Sequence, residues 1–590
     1  MDSERIGGAN MKEIKHFMLP EHTNNLYKEE AISSISLTRE VADKINEIVD
    51  ELNESSKIDL EWKQEQEGII RKGVLYMKDN LLNTLHDLLE LYAGSEDIKN
   101  MIGDIVINGY SALIQKTKGI VSPQMFEAVG DGITDDTIPF QAAIDYAVEN
   151  NCSVYVPEGE YRILYDLNLK NVKHIYGNGP GSVLKCYGAL TTSTDADDVV
   201  TIENLKMVNM SNKTLLSIHR RENTGKGFSD FVLQNVNFHS GSGSGTLLSL
   251  FGNGQSTISH CLFDSTYDLH MDEILSTGIT ISSDSSIGVA NINITDCEFN
   301  RLHKSIDIVG DASAPDIHCG FRIINNLFVG GHYGIEASFC DSVTIEHNMI
   351  DMIWYPIRLT MVKSPKIREN YVAVNQNTSN SDAIVITAPR TQHLERYLDI
   401  SHNYISSYAA VKGNGIVINA VGTLVQYGTI SNNIFKLLNV GIVLNGTSSS
   451  YYVNNLMINN NTITESEMFI SLTEYCLRNT ISDNIVEANV KEFVNDYTRL
   501  FQNDYRYNRY GLQVSNQRGT FNGKGDGQTS TFYIPHNLFR KPRWVNATCQ
   551  TSVIHGNSMA VTYDDENVRI WFEKAPESGK DVIINWEVCC

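Results

Sequence analysis

The sequence has no surplus of positive charge. Its 590 residues carry 47 Lys and Arg against 71 Asp and Glu, which gives a formal net charge of -24. Because nucleic-acid binding needs clustered Lys and Arg to neutralise phosphates, this balance argues against a nucleic-acid ligand. It also disfavours adhesion to anionic membranes. If the ligand is a charged polymer, local basic residues must bind it.

Long apolar runs are also missing. No run approaches the ~20 residues needed to cross a bilayer. The first residues, MDSERIGGANMKEIKHFMLP, contain no basic segment followed by an apolar core, which a secretory signal would require. We therefore expect no membrane insertion, and synthesis in a cytoplasm where the protein stays soluble.

Cysteine is sparse and follows no pattern. The ten cysteines show no CxxC spacing and no small secreted framework, and two of them are adjacent at positions 589 and 590. Buried free thiols behave as small apolar side chains. We expect most of the ten to be of this kind, and we predict neither structural disulfides nor zinc.

Residues 1–120 have a helical pattern. Apolar residues recur at spacings of three and four at Leu37, Val41, Ile45, Ile48 and Leu52, with a similar stripe between Val74 and Leu88. A narrow stripe with charged flanks is typical of a coiled-coil seam. A small helical bundle remains an alternative for residues 60–100.

From about residue 121 to residue 510 a repeat of the form Ile-x-x-Asn-x-apolar appears. The last apolar residue of each unit serves as an anchor, and the anchors are Phe238, Phe263, Phe299, Phe328, Ile350, Val372, Ile405, Phe435, Ile463 and Val486. Two residues before the last seven anchors stand Asn326, Asn348, Asn370, Asn403, Asn433, Asn461 and Asn484. Seven consecutive Asn at one repeat position form a specific signal.

Units of 22 to 36 residues that keep one apolar strand and one Asn, while their loops vary, are typical of a parallel β-helix. Each coil adds one strand to every sheet, so equivalent residues stack about 4.8 Å apart. Inward Asn residues at a turn can then bond to the backbone and to each other as a ladder. A leucine-rich repeat would need several regularly spaced leucines in each unit, which these units lack.

Residues 511–590 form a third region. The segments MAVTY, VRIWF and DVIINWEV alternate between apolar and polar residues and are separated by the turn signals GKGDG, DDEN and ESGK. This pattern predicts a small antiparallel β domain. Its expected role is trimerisation or glycan binding.

Two segments resemble phage proteins. FEAVGDGITDDTIPFQAAIDYAVENNCSVYVPEGEYRI (126–163) resembles the start of pectate-lyase-like β-helices in phage tailspikes and preneck appendages, and GTFNGKGDGQTSTFYIPHNLFRKPRWVNAT is similar to the start of a small β domain in phage tail proteins. The resemblance implies a right-handed single-stranded parallel β-helix in a homotrimer located in the virion tail. It also implies a helical stem that attaches to tail, baseplate or collar proteins, and a bacterial surface polysaccharide as ligand.

The acidic residues of GDGITDDT have a structural interpretation. Asp135 or Asp136 can cap a helix that starts near Thr137, with Pro139 in its first turn. Phe140, Ile144 and Ala147 would then form an apolar stripe that covers the open end of the β-helix. We prefer this interpretation to a metal or catalytic cluster of Asp131, Asp135 and Asp136. GNGPGS at 177–182 is followed by no helix, so we do not predict a dinucleotide site.

One set of outward residues predicts a site. The eighth residue after three successive anchors is Asp307, Glu336 and Arg358. On adjacent coils the first two would lie about 5 Å apart at the backbone, near the ~5–5.5 Å carboxyl separation of retaining glycosidases. These three are the candidate catalytic residues. The candidate substrate-binding residues, four and five positions after the same anchors, are His303, Lys304, His332, Tyr333, Trp354 and Tyr355.

Several alternatives remain open for this cluster. In hydrolysis one carboxyl would protonate the leaving oxygen while the other acts as nucleophile. In lyase chemistry an acid or a divalent cation would neutralise a uronate, while Arg358, a His or a Tyr removes the neighbouring proton. No other cofactor is expected. The cluster could instead be a stabilising charge ladder of the kind predicted for Glu346 and Arg368, in a receptor-binding tail fibre without catalysis.

Two acidic loops are further candidates if the site lies between subunits. They are DADD at 195–198 and DSTYDLHMDE at 264–273, of which the second contains His270 and Asp272. The polysaccharide itself, a capsule, an exopolysaccharide or a teichoic acid, is not specified by the sequence.

Overall fold

The computed structural model describes residues 119–590, except for 195–198, 221–229, 267–270, 284–287, 314–317, 376–380, 390–394, 409–411, 498–502, 512, 539–540, 551–557 and 590. All described residues belong to one compact unit that begins at Lys118. The helical region predicted at 1–120 lies outside the described residues apart from its last two positions, and so do the DADD loop and His270.

Forty strands stack into a β-helix whose coils turn through three parallel ladders. Ladder 1 contains Ile120–Val121, Ser153–Val156, His174–Gly177, Thr257–Ser259, Asn293–Thr295, Cys319–Ile324, Lys366–Arg368, Glu395–Arg396, Asp399–Ser401, Val425–Ser431, Val453–Asn459, Cys476–Leu477, Thr480–Ser482 and Asp504–Arg506. Ladder 2 contains Asp131–Asp135, Gly159–Ile163, Ser182–Cys186, Leu262–Ser265, Tyr371–Val374, Tyr404–Ser407, Ile434–Lys436, Thr462–Thr464, Ile485–Val486, Arg509–Tyr510 and Gln513–Val514. The last pairing of ladder 2 is antiparallel.

Ladder 3 carries the candidate site. It contains Leu167–Lys170, Leu190–Thr194, Leu216–Arg220, Thr246–Phe251, Thr277–Ser282, Ile384–Ala388, Ile416–Ala420, Val440–Gly446, Met468–Leu472 and Glu492–Asp496. Five long strands bend from one ladder into the next: Val199–Asn209, Asp230–Ser240, Glu298–Val309, Leu327–Glu346 and Met349–Lys363. The last three of these provide the predicted site residues.

The anchors form the core of the β-helix. Phe238, Phe263, Phe299 and Phe328 are fully buried, and their rings stack face to face at 4.8, 5.0 and 4.8 Å between centroids. The parallel register places each anchor directly over the previous one. Because a one-residue shift would turn these rings outward, the apolar anchors fix the register of every coil.

The predicted Asn ladder is confirmed. Each Asn Nδ2 donates to the Oδ1 of the next Asn, for example Asn403 to Asn433 at 2.9 Å, and the backbone N–H of Asn403 donates to the same oxygen at 3.0 Å. The ladder extends beyond the prediction to Asn508, which receives a bond from Asn484 at 2.8 Å. The backbone N–H of Asn508 donates to Ser515 Oγ at 2.8 Å. These bonds satisfy polar groups that the turns bury.

The single described α-helix, Thr137–Asn150, covers the first coil. Phe140, Ile144 and Ala147 are buried as the stripe predicts, and the helix packs against strands of ladders 1 and 3. Asp135 Oδ1 accepts the Thr137 N–H at 3.0 Å. Asp136 precedes the helix without capping it, because its buried carboxylate accepts the Val129 N–H at 2.7 Å instead.

The remaining carboxylate of the GDGITDDT motif is also bound locally. Asp131 Oδ1 accepts the N–H groups of Ile133 and Thr134 at 2.8 and 2.7 Å. All three aspartates of the motif therefore satisfy nearby backbone donors, which is the structural interpretation that the sequence favoured. Two short 3-10 helices, Pro123–Phe126 and Met271–Glu273, complete the described helical elements.

Residues 516–589 form two three-stranded antiparallel sheets. One pairs Asp581–Cys589 with Asn516–Lys524 and Trp544–Cys549, and the other pairs Asn567–Phe572 with Thr531–Pro535 and Met559–Tyr563. Their inner faces share an apolar core that includes Val568, Ile570, Phe572, Ile584 and Trp586. The role of this region in trimerisation or glycan binding stays a prediction, as does the trimer itself.

Six of the nine described cysteines are buried free thiols. Within the described part of the chain, no helix combines the length and the hydrophobicity needed to cross a membrane.

Candidate functional site

The predicted column of charged residues is present on ladder 3. Asp307 pairs in register with Glu336, and Glu336 pairs with Arg358. Thr280 precedes the column on one neighbouring coil, and Val385 follows it on the other. The flanking residues on each strand point into the core, so the three charged side chains face outward, as the spacing predicted. The charged part of the column is confined to three coils.

Lys304 joins the two carboxylates. Its Nζ lies 2.6 Å from Glu336 Oε2 and 3.2 Å from Asp307 Oδ2. Because both oxygens contact one ammonium, they are no more than about 6 Å apart, which is compatible with the ~5–5.5 Å carboxyl separation of retaining glycosidases. The sequence predicts Lys304 as a sugar contact beside the column, and this role stays a prediction; the structure shows Lys304 as the shared counter-ion of the pair.

Burial alone would lower the pKa of Lys304, since it penalises the charged form. The hydrogen bond to Glu336 and the charges of Asp307 and Glu336 outweigh that effect and raise the pKa above its usual value. The ammonium therefore stays charged throughout the neutral range, where it offsets the repulsion between the carboxylates.

Tyr333 and Tyr355 form a flat surface next to the column. Their rings stack at 4.9 Å with an interplanar angle of 27°. The guanidinium of Arg358 lies 4.1 Å from the centre of the Tyr355 ring, and Lys304 Nζ lies 5.6 Å from that of Tyr333. Stacked tyrosines with hydroxyl groups at their edges suit the face of a pyranose ring. The predicted stacking of rings is present at these two positions, and their role as a sugar platform stays a prediction.

The other predicted stack is less regular. His303 Nδ1 lies 2.8 Å from His332 Nδ1, and the two rings meet nearly edge to face at 77°. The ring of Trp354 lies 4.1 Å from that of His332, tilted by 59°. His332 is only 7% exposed. We therefore assign His332 to the support of its neighbours, and leave His303 and Trp354 as the candidate sugar contacts of this group.

One of the acidic loops reaches the histidines. Asp272 Oδ1 lies 3.8 Å from His332 Nε2, so the segment 264–273 contributes to the cluster within a single chain. Burial lowers the pKa of His332, and Asp272 only partly opposes this effect. Burial also lowers the pKa of His303, together with the charge of Lys304 and the neighbouring imidazole. Both rings are thus neutral at neutral pH, and one can donate to the other.

Asp382 is a further residue near the site that the repeat spacing did not predict. This residue lies two positions before Ile384, whose Cα pairs with Ile357 on the preceding coil, so Asp382 stands close to Arg358. Burial raises the pKa of Asp382, and the charge of Arg358 opposes that effect only in part. Asn414 donates two hydrogen bonds, at 3.1 and 2.9 Å, to Oδ1 alone. The repeat register could have revealed this residue, but it follows a loop of variable length.

The charged column lines a groove of about 320 Å³. Its walls include Lys304, Asp307, Glu336 and Arg358, with Leu359, Val385 and several small hydroxyl residues beyond them. A larger depression of about 480 Å³ lies on the C-terminal sheet, among residues such as Arg518, Asn546 and Glu587. We place the candidate chemistry in the first because only there do two carboxylates share a cation. In the described ranges, no three His, Cys, Asp or Glu side chains converge as a metal site.

The predicted structural charge pair is also present. Arg368 Nη1 lies 3.6 Å from Glu346 Oε1 on the next coil, and Arg368 Nε donates to Asp399 Oδ2 at 2.9 Å. These side chains belong to ladder 1 and line neither depression. They provide an internal reference for what a purely structural charge ladder looks like on this fold.

Comparison with known proteins supports the fold. A family model described as rhamnogalacturonase A/epimerase, pectate lyase-like, matches residues 120–200. The crystal structure of the Pseudomonas phage phi297 tailspike superimposes with a TM-score of 0.51 at 12% sequence identity, and the alignment covers 80% of this chain and 99% of that one. The chain thus contains a pectate-lyase-like β-helix like that of phage tailspikes.

Two curated enzymes share a short segment with the protein. Mannuronan C5-epimerases AlgE2 and AlgE1 of Azotobacter vinelandii are each 42% identical to it over 67 residues. The matches cover 10% of this chain and only 7% and 5% of the enzymes. The protein thus shares one short segment with these two epimerases and spans only a small part of their length, so their whole-protein activities do not transfer on this basis.

Proposed function

We propose that the protein is a phage tail component that binds a bacterial surface polysaccharide and cuts it in the groove around Asp307 and Glu336. The observation that carries this proposal is the pair of outward carboxylates that both contact the Nζ of Lys304, at 3.2 and 2.6 Å. The stacked faces of Tyr333 and Tyr355 stand beside them. Similarity to a tailspike in fold supports the location in the tail, and the match of residues 120–200 to a pectate-lyase-like family model supports a carbohydrate ligand.

In a hydrolytic mechanism one carboxylate attacks the anomeric carbon and a protonated group donates to the leaving oxygen. Lys304 keeps the Asp307–Glu336 pair close together and limits their mutual repulsion. Asp382, which lies close to Arg358, is a further carboxyl near the groove, and burial raises its pKa. These features favour hydrolysis by a carboxylate pair, with Arg358 and Tyr355 holding the sugar.

A lyase mechanism would use the same groove differently. Arg358 or His303 would remove the proton next to a uronate carboxylate, and a bound divalent cation could neutralise that carboxylate. The neutral state of His303 is compatible with a base. This route stays a second proposal, and it predicts a product with an unsaturated end.

Binding without cleavage is the other candidate function. The specific observation in its favour is that Lys304 pairs with both carboxylates, as a stabilising ion cluster would. The same groove would then hold the polysaccharide during adsorption of a phage without shortening it.

One experiment separates the three proposals. The purified full chain is incubated with capsule, exopolysaccharide and teichoic acid preparations from candidate host bacteria, and chain length, reducing ends and ultraviolet absorbance of unsaturated ends are followed. New reducing ends alone indicate hydrolysis, and unsaturated ends indicate a lyase. Binding without shortening contradicts the enzyme proposal, and the absence of binding contradicts all three.

A further inference from the structure

The guanidinium of Arg358 does not form an ion pair with Glu336, its neighbour on the adjacent strand. Its Cα pairs in register with that of Glu336, and a cross-strand ion pair would be expected there. Glu336 instead binds Lys304 at 2.6 Å. Within the described part of the chain, Arg358 forms no ion pair, and its Nε is buried without a hydrogen-bond acceptor. A buried donor without an acceptor is costly. The same residue also lines the groove, where its terminal Nη groups are placed to bind a partner from outside.

The contact with Tyr355 orients this free donor. The guanidinium lies 4.1 Å from the ring centre, and stacking of this kind uses the face of the planar group. The N–H donors lie in the plane of the guanidinium, so stacking leaves them free to bind a planar oxyanion through two parallel hydrogen bonds. Tyr355 therefore positions the Arg358 side chain while its N–H groups stay available for hydrogen bonds to a ligand.

The surroundings strengthen an interaction at this point. Arg358 is the last charged member of the column, and its next neighbour on ladder 3 is Val385, which is 8% exposed. A charge beside an apolar wall is less screened by water than one on an open surface. Asp382 Oδ1 is occupied by two hydrogen bonds from Asn414, and the charge of Asp382 acts on the guanidinium without a hydrogen bond between the two groups.

We infer that the groove selects an acidic glycan and that Arg358 binds its anionic group. The group is an oxyanion, either the carboxylate of an acidic sugar or a phosphate of the polymer backbone. Lys304 cannot serve this purpose while both Asp307 and Glu336 hold it. The inference rests on the proposed function, since it concerns the ligand of the same groove. It also explains how a protein of net charge -24 could bind an anionic polymer.

The test measures binding of the full chain and of Arg358→Gln to polysaccharide preparations from candidate hosts. Each capsule or exopolysaccharide is used in its native form and after chemical reduction of its carboxylates to alcohols, and purified teichoic acid represents phosphate. We expect the native chain to bind an anionic preparation and Arg358→Gln to bind it about tenfold to a hundredfold more weakly. Arg358→Lys, which keeps the charge but not the planar fork, is expected to fall between the two.

Arg322→Gln is the matched control. Arg322 is exposed on ladder 1, away from the groove, and its loss removes the same charge without changing affinity. If carboxylates are bound, their reduction weakens the native chain but has no further effect on Arg358→Gln. If phosphate is bound, teichoic acid shows the dependence on Arg358.

Equal affinity of the native chain and Arg358→Gln, or tight binding of a polysaccharide without charge, would overturn this inference and leave the proposed function standing. Failure of the native chain to bind any preparation would overturn both. Melting temperatures of the variants are compared with that of the native chain, so that a folding defect is not mistaken for lost binding.

Discussion

Two of the columns of polar side chains on this β-helix, the Asn ladder and the charged column of ladder 3, differ in how their hydrogen-bonding groups are satisfied. In the Asn ladder each side chain is buried and binds its neighbours on both sides, as Asn403 does with Asn370 and Asn433. In the charged column of ladder 3 one lysine serves two carboxylates, and Arg358 keeps a buried donor without a partner. The same stacking geometry thus produces a closed network in one column and an open one in the other.

The difference separates stability from function. A closed network of buried bonds contributes to folding and has no capacity for a ligand. An open network costs stability and persists where a ligand completes it. We therefore expect substitutions in the Asn ladder to affect unfolding, and substitutions in the charged column to affect binding and cleavage.

The largest expected effect concerns Glu336→Gln. The amide keeps the shape of the side chain but can act neither as nucleophile nor as acid, so cleavage should fall by at least about a hundredfold. Glycan binding and the melting temperature should change little. The readout is the rate of appearance of reducing or unsaturated ends. Glu346→Gln, the same change beside Arg368 on ladder 1, is the control, and full activity of Glu336→Gln would remove this residue from the mechanism.

Asn403→Ala should break the closed column. The N–H and the Nδ2 of Asn370 both donate to Asn403 Oδ1, at 3.0 and 2.9 Å, and would lose their acceptor inside the core. The free energy of unfolding should decrease by about 3 kcal/mol, measured by denaturant unfolding followed by circular dichroism. Asn419→Ala, at a half-buried outward position of ladder 3, is expected to cost far less. Equal costs would show that the ladder is not a special stabilising feature.

Acidification should protonate His303 and His332, the two histidines beside the charged column. The folded-state pKa values of His303 and His332 are lowered, so the unfolded chain takes up protons there more readily than the folded chain. Their contribution to stability is complete above the unfolded pKa of about 6.5 and is lost as the pH falls below it. Protonation of both rings also removes the acceptor in their hydrogen bond. Cleavage and the melting temperature should both decrease between pH 7.5 and 5.5.

The measurement compares this decrease with that of His303→Asn, which removes one titrating ring. All other histidines and carboxylates are the same in both proteins, so the difference in pH dependence between them reports on the histidine pair. An unchanged pH dependence would contradict the assignment of the lowered pKa values to these rings.

The smallest expected effect concerns Arg368→Gln. Arg368 pairs with Asp399 and Glu346 on the surface of ladder 1, and its side chain is 37% exposed. Exposed ion pairs contribute roughly 0–1 kcal/mol, so stability should barely change and cleavage should not change at all. A large loss of activity would show that the candidate site extends to ladder 1. It would also show that the Arg368 ion pairs on ladder 1 are not purely structural.

The sequence predicted much of this arrangement because a β-helix converts spacing into position. The anchor register alone placed Asp307, Glu336 and Arg358 on neighbouring strands, and it predicted the Asn ladder correctly. The register did not predict the burial of His332, which is outward by register but is covered by its neighbours Trp354 and His303. It also missed Asp382, because the loop before that residue does not follow the repeat.

The sequence by itself determined which residues share a coil, which point inward, and where charge is concentrated, since backbone stacking is periodic and apolar anchors must face the core. Only the tertiary structure decided how the side chains pair. Glu336 could bind Lys304 or Arg358, and the structure shows it on Lys304, with Arg358 stacked on Tyr355 instead. That choice depends on side-chain torsions and on loops of unequal length, which no repeat spacing specifies.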